Sequence, residues 1–124
     1  MKVIVIYGSP NDKPFMEPAR EYFAQENVPY EETVLSAHRD LPELIRFLGD
    51  LEASGEKAVI LAVAGLSAAL IGVPVPGGPL NGIDALLAIA QCPGGVPCTT
   101  VGLHKKTPVN AAMAAHRILK LAGL

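Results

Sequence analysis

Strand-length apolar runs, separated by amphipathic stretches of helix length, constrain this chain more than any other feature. The segment KVIVIY at Lys2–Tyr7 and the segment AVILAV at Ala58–Val63 show no polar–apolar alternation that would give either strand a wet face. Strands of this kind are buried on both sides, which happens when neighbours run parallel and the returning chain lays helices over the two faces of the sheet. Between the runs lie the helices. Phe15, Ala19, Tyr22 and Phe23 fall on one helical stripe within residues 13–26, with Asp12 placed as N-cap. Residues 28–35 form a second strand. Asp40 and Glu43 have capping-box spacing ahead of a helix with Leu41, Leu44, Ile45, Leu48 and Leu51 on its apolar face, ending near Gly55. Further on, residues 71–75 and 98–103 read as strands and 82–91 as a helix; Thr107 as N-cap with Pro108 in the first turn opens a last helix through Leu121. The expected class is a three-layer α/β/α sandwich around a mainly parallel, flavodoxin- or Rossmann-like sheet.

At 124 residues this is one domain, 1–124, and it can bury a core without disulfides or a structural metal. Ten basic against twelve acidic side chains, dispersed along the chain, give a net charge of −2 and argue against a nucleic-acid partner. Residues 58–83 carry no charge, yet Gly65, Gly72, Pro74, Pro76, Gly77, Gly78 and Pro79 break them, so no membrane helix is expected. The opening strand is too short for a secretory signal, and the chain reads as cytoplasmic. Low charge and abundant alanine point to apolar surface covered by further copies, that is, a homo-oligomer.

In such sheets small molecules collect where loops leave the carboxyl ends of strands and enter helix N-termini, whose free N–H groups favour anions. The loop Gly8-Ser9-Pro10-Asn11-Asp12 is neither a Walker loop nor a dinucleotide fingerprint. It still offers a hydroxyl, an amide, a carboxylate and backbone donors, although all three side chains are also ordinary turn formers. Ser36-Ala37-His38-Arg39 combines a hydroxyl, a titrating imidazole and a guanidinium just past a strand. Arg39 suits a phosphate and His38 a proton transfer; a solvated cation and a backbone-bonded histidine are the plainer alternatives. His104 shares a loop with Lys105 and Lys106, and His116, inside the last helix beside Arg117, reads as a surface or interface residue. Cys92 and Cys98 have no zinc spacing and read as buried thiols; no metal site is expected.

Taken in order, Gly8-Ser9-x-x-Asp12, Met16, Val28-Pro29-Tyr30, Ser36-Ala37-His38-Arg39, Gly72-Val73-Pro74-Val75, Leu80-x-Gly82-x-Asp84, Gln91-x-Pro93-x-Gly95-x-Pro97 and Asn110-Ala111-Ala112 resemble the PurE family over nearly the whole chain. Its members are N5-carboxyaminoimidazole ribonucleotide mutases or aminoimidazole ribonucleotide carboxylases of purine biosynthesis, and the Arg of Ser-Ala-His-Arg resembles the mutase class. The resemblance implies His38 as general acid/base. It implies a substrate-binding set of Gly8, Ser9, Asn11, Asp12, Ser36, Arg39, Ala64 and Gly65, no cofactor, and a small-molecule aminoimidazole ribonucleotide held in a homo-oligomer, an octamer. Two departures stand out. Asn11 replaces a serine, and the family's Gly-rich loop, His-Leu-Pro-Gly segment and helix shrink to residues 65–71 before Gly72, so that about a dozen residues of the family pattern are absent where a parallel crossover normally takes a dozen or more. On that ground residues 62–75 are not expected to follow the family path unchanged. The alternatives to a working mutase are a non-catalytic ribonucleotide-binding protein and a carboxylase or decarboxylase of another aromatic nucleotide.

Overall fold

The structure, a computed structural model, describes residues 1–37, 39–63, 71–77, 79–92 and 98–124. Its strands are β1 (Lys2–Tyr7), β2 (Tyr30–Val34), β3 (Ala58–Val63), β4 (Ile71–Val73) and β5 (Thr99–Thr100), and its helices are α1 (Glu17–Gln25), α2 (Leu41–Ser54), α3 (Ile83–Ala90) and α4 (Thr107–Leu121). The strands pair all-parallel in the order β2-β1-β3-β4-β5. That order is flavodoxin-like, and it puts the switch in winding direction between β1 and β3.

Alternation along β1 sorts the two covering layers. Val3, Val5 and Tyr7 point into a core shared with Met16, Ala19 and Phe23 at the start of the chain and with Ala111, Ala112, Ala115 and Leu119 of α4. Ile4 and Ile6 point the other way, onto Leu44 and the flanking Phe47, Leu48 and Leu51 of α2. On β4, Ile71 and Val73 belong to the first core while Gly72 faces the second layer, where a Cβ would stand 2.7 Å from Ile89 Cδ1. Gly72 therefore lets α3 sit down on the sheet. Edge strand β2 is the departure from wholly apolar runs: its sequence YEETV leaves Tyr30 and Glu31 exposed, and charge at an edge discourages further pairing.

The first helix does not start where the apolar stripe suggested. Residues Pro10–Met16 form a 3-10 helix, and α1 begins only at Glu17. Pro10, Pro14 and Pro18 recur every four residues, so the N–H donors that an α-helix would send from 14 to 10 and from 18 to 14 do not exist. Ser9, not Asp12, is the N-cap of this turn, its Oγ accepting from the Asn11 N–H at 3.3 Å. Two further caps differ from expectation. Asp40 makes no side-chain cap to α2, and Thr107 lies inside α4 with Lys106 as N-cap. The Thr107 hydroxyl instead accepts from the His104 N–H at 2.8 Å and donates to the Gly102 carbonyl at 2.9 Å, so it ties down the turn before the helix. The end of α2 is as read: Gly55 adopts φ 67° and closes the helix in the left-handed conformation.

β3 and β4 are parallel neighbours joined through residues 64–70, which lie outside the described residues. Parallel adjacency is kept with a connection shorter than the dozen residues such a crossover usually takes. Among the described residues, no helix is long and apolar enough to cross a membrane.

Candidate functional site

Two of the loops singled out in the sequence meet at the carboxyl end of β1. The Tyr7 carbonyl accepts from the Leu35 N–H at 3.0 Å, and the Gly8 N–H donates to the Val63 carbonyl at 3.1 Å, so the chain leaving β1 is pinned to the ends of both β2 and β3. From the second loop, Arg39 Nη2 donates to the Gly8 carbonyl at 3.3 Å. Arg39 is otherwise exposed, and among the described residues no carboxylate pairs with it. With the side chain exposed, its other N–H donors are open to solvent, the donor set that an anion takes from a guanidinium.

The Ser36–Asp40 turn is held internally. The Ser36 carbonyl accepts from the Asp40 N–H at 2.7 Å and the Arg39 N–H at 3.2 Å, while the Asp40 carboxylate accepts from the Ser36 N–H at 3.0 Å. Asp40 thus braces the loop that carries Arg39 instead of capping α2, and Ser36 is buried as a result. Across the crevice, the Asp12 N–H donates to the Ser9 carbonyl at 3.1 Å. Burial pushes the Asp12 carboxyl up, and hydrogen bonding from the Ser9 backbone opposes the rise. Gly8, Ser9, Asn11, Asp12, Ser36 and Arg39 are therefore brought to one end of the sheet, at the switch point. His38, Ala64 and Gly65 lie outside the described residues.

That raised carboxyl gives a signed prediction. With the folded pKa above the unfolded one, Asp12 favours folding most when protonated, and its contribution falls as pH rises from the ordinary aspartate range through the folded value. Asp12→Asn should therefore leave the melting temperature at neutral pH unchanged or higher; a lower melting temperature contradicts a carboxyl pushed up by burial.

Beneath the first loop lies a group of residues that the sequence reading did not single out. The buried Tyr7 hydroxyl donates to Glu32 Oε1 at 2.6 Å, Arg20 Nε reaches the same oxygen at 2.8 Å, and Arg20 Nη2 lies 3.2 Å from the Tyr7 oxygen. Burial, reinforced by Glu32, holds the phenol well above its usual range, so it stays a neutral donor. For Arg20, burial works against the charge, but Glu32 and Glu17 outweigh it and hold the guanidinium above its ordinary value. The Lys13 ammonium sits 5.9 Å above the Tyr7 ring centroid. The network fixes the strand end from which Gly8 and Ser9 project.

Two expectations elsewhere need correction. His116 is buried, its Nδ1 3.1 Å from the Tyr22 hydroxyl. It lies on the stripe Ala112, Ala115, His116 and Leu119, whose helical spacing was the signal for an inward histidine. Cys92 and Cys98 are part-exposed rather than buried. His104 is exposed, and its Nδ1 accepts from the Lys106 N–H at 3.2 Å ahead of α4. Among the described residues no cluster of three or more His, Cys, Asp or Glu is placed to hold a metal.

A doubly wound α/β domain with hydroxyl, amide and guanidinium donors gathered at the carboxyl end of its strands belongs to the class of folds that take anionic small molecules at that place. The AIR carboxylase family model matches residues 2–123. The chain is 39% identical to the N5-carboxyaminoimidazole ribonucleotide mutase of Saccharolobus solfataricus over 129 residues, covering 95% of this chain and 80% of the relative. It is 38% identical to the mutase of Bacillus subtilis, covering 93% and 78% respectively. A crystal structure of a Treponema denticola PurE2 variant superposes with a TM-score of 0.81 at 25% identity, covering 98% of this chain and 82% of that one. The chain belongs to the AIR carboxylase family. In the first comparison the alignment is longer than the stretch of this chain it takes in, as expected where relatives carry residues that this chain lacks.

Proposed function

We propose that this protein is an N5-carboxyaminoimidazole ribonucleotide mutase of purine biosynthesis, moving a carboxyl group from N5 to C4 of the aminoimidazole ring. The observation that carries the reading, beside family membership, is the junction of the two loops through Arg39 and the Gly8 carbonyl. It sets a free guanidinium next to the Ser9 turn, where a ribose 5′-phosphate would bind. The ring would then lie toward His38 and the β3 loop with Ala64 and Gly65.

The chemistry needs little from the protein. The N5–carboxyl bond of the carbamate breaks as N5 takes a proton, leaving CO2 and an electron-rich ring. C4 attacks that CO2, and loss of the C4 proton restores aromaticity. His38 serves as the acid and base for these transfers, and confinement of CO2 beside C4 until it is attacked is the rest of what the reaction asks. The ring is its own electron sink, so the reading calls for no cofactor. A non-catalytic ribonucleotide-binding role is the less favoured reading.

The assembly that completes this reading is a homo-oligomer, an octamer, in the cytoplasm. Its support is the apolar surface of the α2–α3 layer, where Leu41, Ile45, Ile83 and Leu87 stand exposed, Ile45 at 62%.

The test is a steady-state assay of the purified protein with the carbamate nucleotide, with aminoimidazole ribonucleotide plus bicarbonate as the parallel arm. Turnover of the carbamate is expected, and Arg39→Ala should raise KM by about 10²-fold, the loss of a charge-assisted bidentate contact, with a smaller change in kcat. No turnover in either arm defeats the reading; turnover only with bicarbonate moves the protein to the carboxylase class.

A further inference from the structure

Three of the ten lysine and arginine side chains, Lys2, Lys13 and Arg20, are drawn in from solvent, and they differ in what they meet. Lys2 pairs with Glu31 and Glu56, and Arg20 pairs with Glu17 and Glu32. Lys13 pairs with no carboxylate among the described residues; its ammonium stands 5.9 Å over the Tyr7 ring centroid instead. A ring face replaces only part of the water that a half-buried ammonium gives up, so the charge keeps its capacity for an anion. The ring itself is held in place, since the buried Tyr7 hydroxyl donates to Glu32 at 2.6 Å and Arg20 ties the same carboxylate.

The place of Lys13 in the fold decides which anion. Tyr7 is the last residue of β1, directly before Gly8 and Ser9, and Lys13 lies inside the 3-10 helix that Ser9 caps. Four residues of such a helix rise about 8 Å, a gap that an extended lysine side chain largely spans. Tyr7 belongs to the core layer shared with α1 and α4, whereas Arg39 reaches the Gly8 carbonyl from the loop leading into α2, on the opposite face of the sheet. One cation from each layer thus flanks the strand end from which the Ser9 turn projects. A phosphate monoester carries a charge of about −1.5 to −2 at neutral pH, more than the single charge of Arg39 offsets.

We propose that Lys13 is the second cation of the ribose 5′-phosphate site, its ammonium passing from the Tyr7 ring to a phosphate oxygen when the nucleotide binds. The inference rests on the substrate proposed above and adds to its binding set a residue outside both loop motifs.

The test titrates ribose 5-phosphate into the full-length protein by calorimetry at low and high salt, a readout that does not depend on turnover. Lys13→Met keeps the length of the side chain and loses its charge. It should weaken binding by about tenfold at low salt, the loss of one charge-assisted contact, with the melting temperature unchanged. High salt should narrow that gap, and Lys13→Arg should keep most of the affinity. Equal affinity of Lys13→Met and the parent, a gap that salt does not narrow, or a parent that takes up no ribose 5-phosphate would each overturn the proposal. If the carbamate assay fails while Lys13→Met still weakens the sugar phosphate as expected, the mutase reading falls and the assignment of Lys13 stands.

Discussion

With His38 replaced by Asn, turnover of the carbamate nucleotide should fall by about three orders of magnitude while KM and melting temperature stay close to those of the parent. General acid/base groups contribute roughly 10²- to 10⁴-fold. His38 is asked to act on two positions, delivering a proton at N5 and removing one at C4, so the upper half of that range applies. Asn keeps the polarity and approximate size of the imidazole yet does not titrate. The neighbouring turn does not depend on the ring, because Ser36 and Asp40 bond each other through backbone and carboxylate. Steady-state rates with circular dichroism on the same preparation check the result. A variant that keeps more than a tenth of parental kcat would remove His38 from the proton path.

The second large effect is on stability. Gly72→Val puts a branched side chain where a single Cβ already meets Ile89 Cδ1 at 2.7 Å, Cγ1 at 2.8 Å and Cγ2 at 3.0 Å. Gly72 and Ile89 are both buried, so α3 must lift or Ile89 must leave its rotamer. Overpacking of this kind costs about 1–3 kcal/mol, and the extra branches put Val at or above the top of that range. For a domain of this size the melting temperature should drop by about 10 °C. The Ile89→Ala change alone should also destabilise, by leaving a cavity under α3. Combined, the two should be less damaging than their sum, with a coupling of about 1–3 kcal/mol by urea denaturation, since the void of one receives the branches of the other. Strict additivity would show that α3 does not rest on Gly72.

These cases differ in how far the sequence alone reveals them. The sheet is readable because VIVIY and AVILAV leave a strand no wet face, and only parallel pairing under two helical layers satisfies that. The loops at the strand ends are readable from the resemblance, and Gly8, Ser9, Asp12, Ser36 and Arg39 do converge. What could not be read is how they are held. Asp40 has the spacing of a helix cap, yet its carboxylate goes to the Ser36 N–H. The Tyr7, Arg20 and Glu32 network joins residues 12 to 25 positions apart, a separation at which no periodicity connects them. The 3-10 entry to α1 was written in three prolines at four-residue spacing, a signal that the apolar stripe through Phe15 and Ala19 concealed. His116 shows the reverse: its helical phase gave the answer, and a general expectation about charged neighbours displaced it.

The central claim is that one crevice breaks a carbamate and returns the same carboxyl group to carbon. Supplying the carbamate nucleotide with an isotopically labelled carboxyl group, in unlabelled bicarbonate buffer, and weighing the C4-carboxylate product tests it most directly. The account predicts product that keeps the label with the parent protein and almost none with His38→Asn. Product carrying the buffer's carbon, or no product from the parent protein, would contradict it.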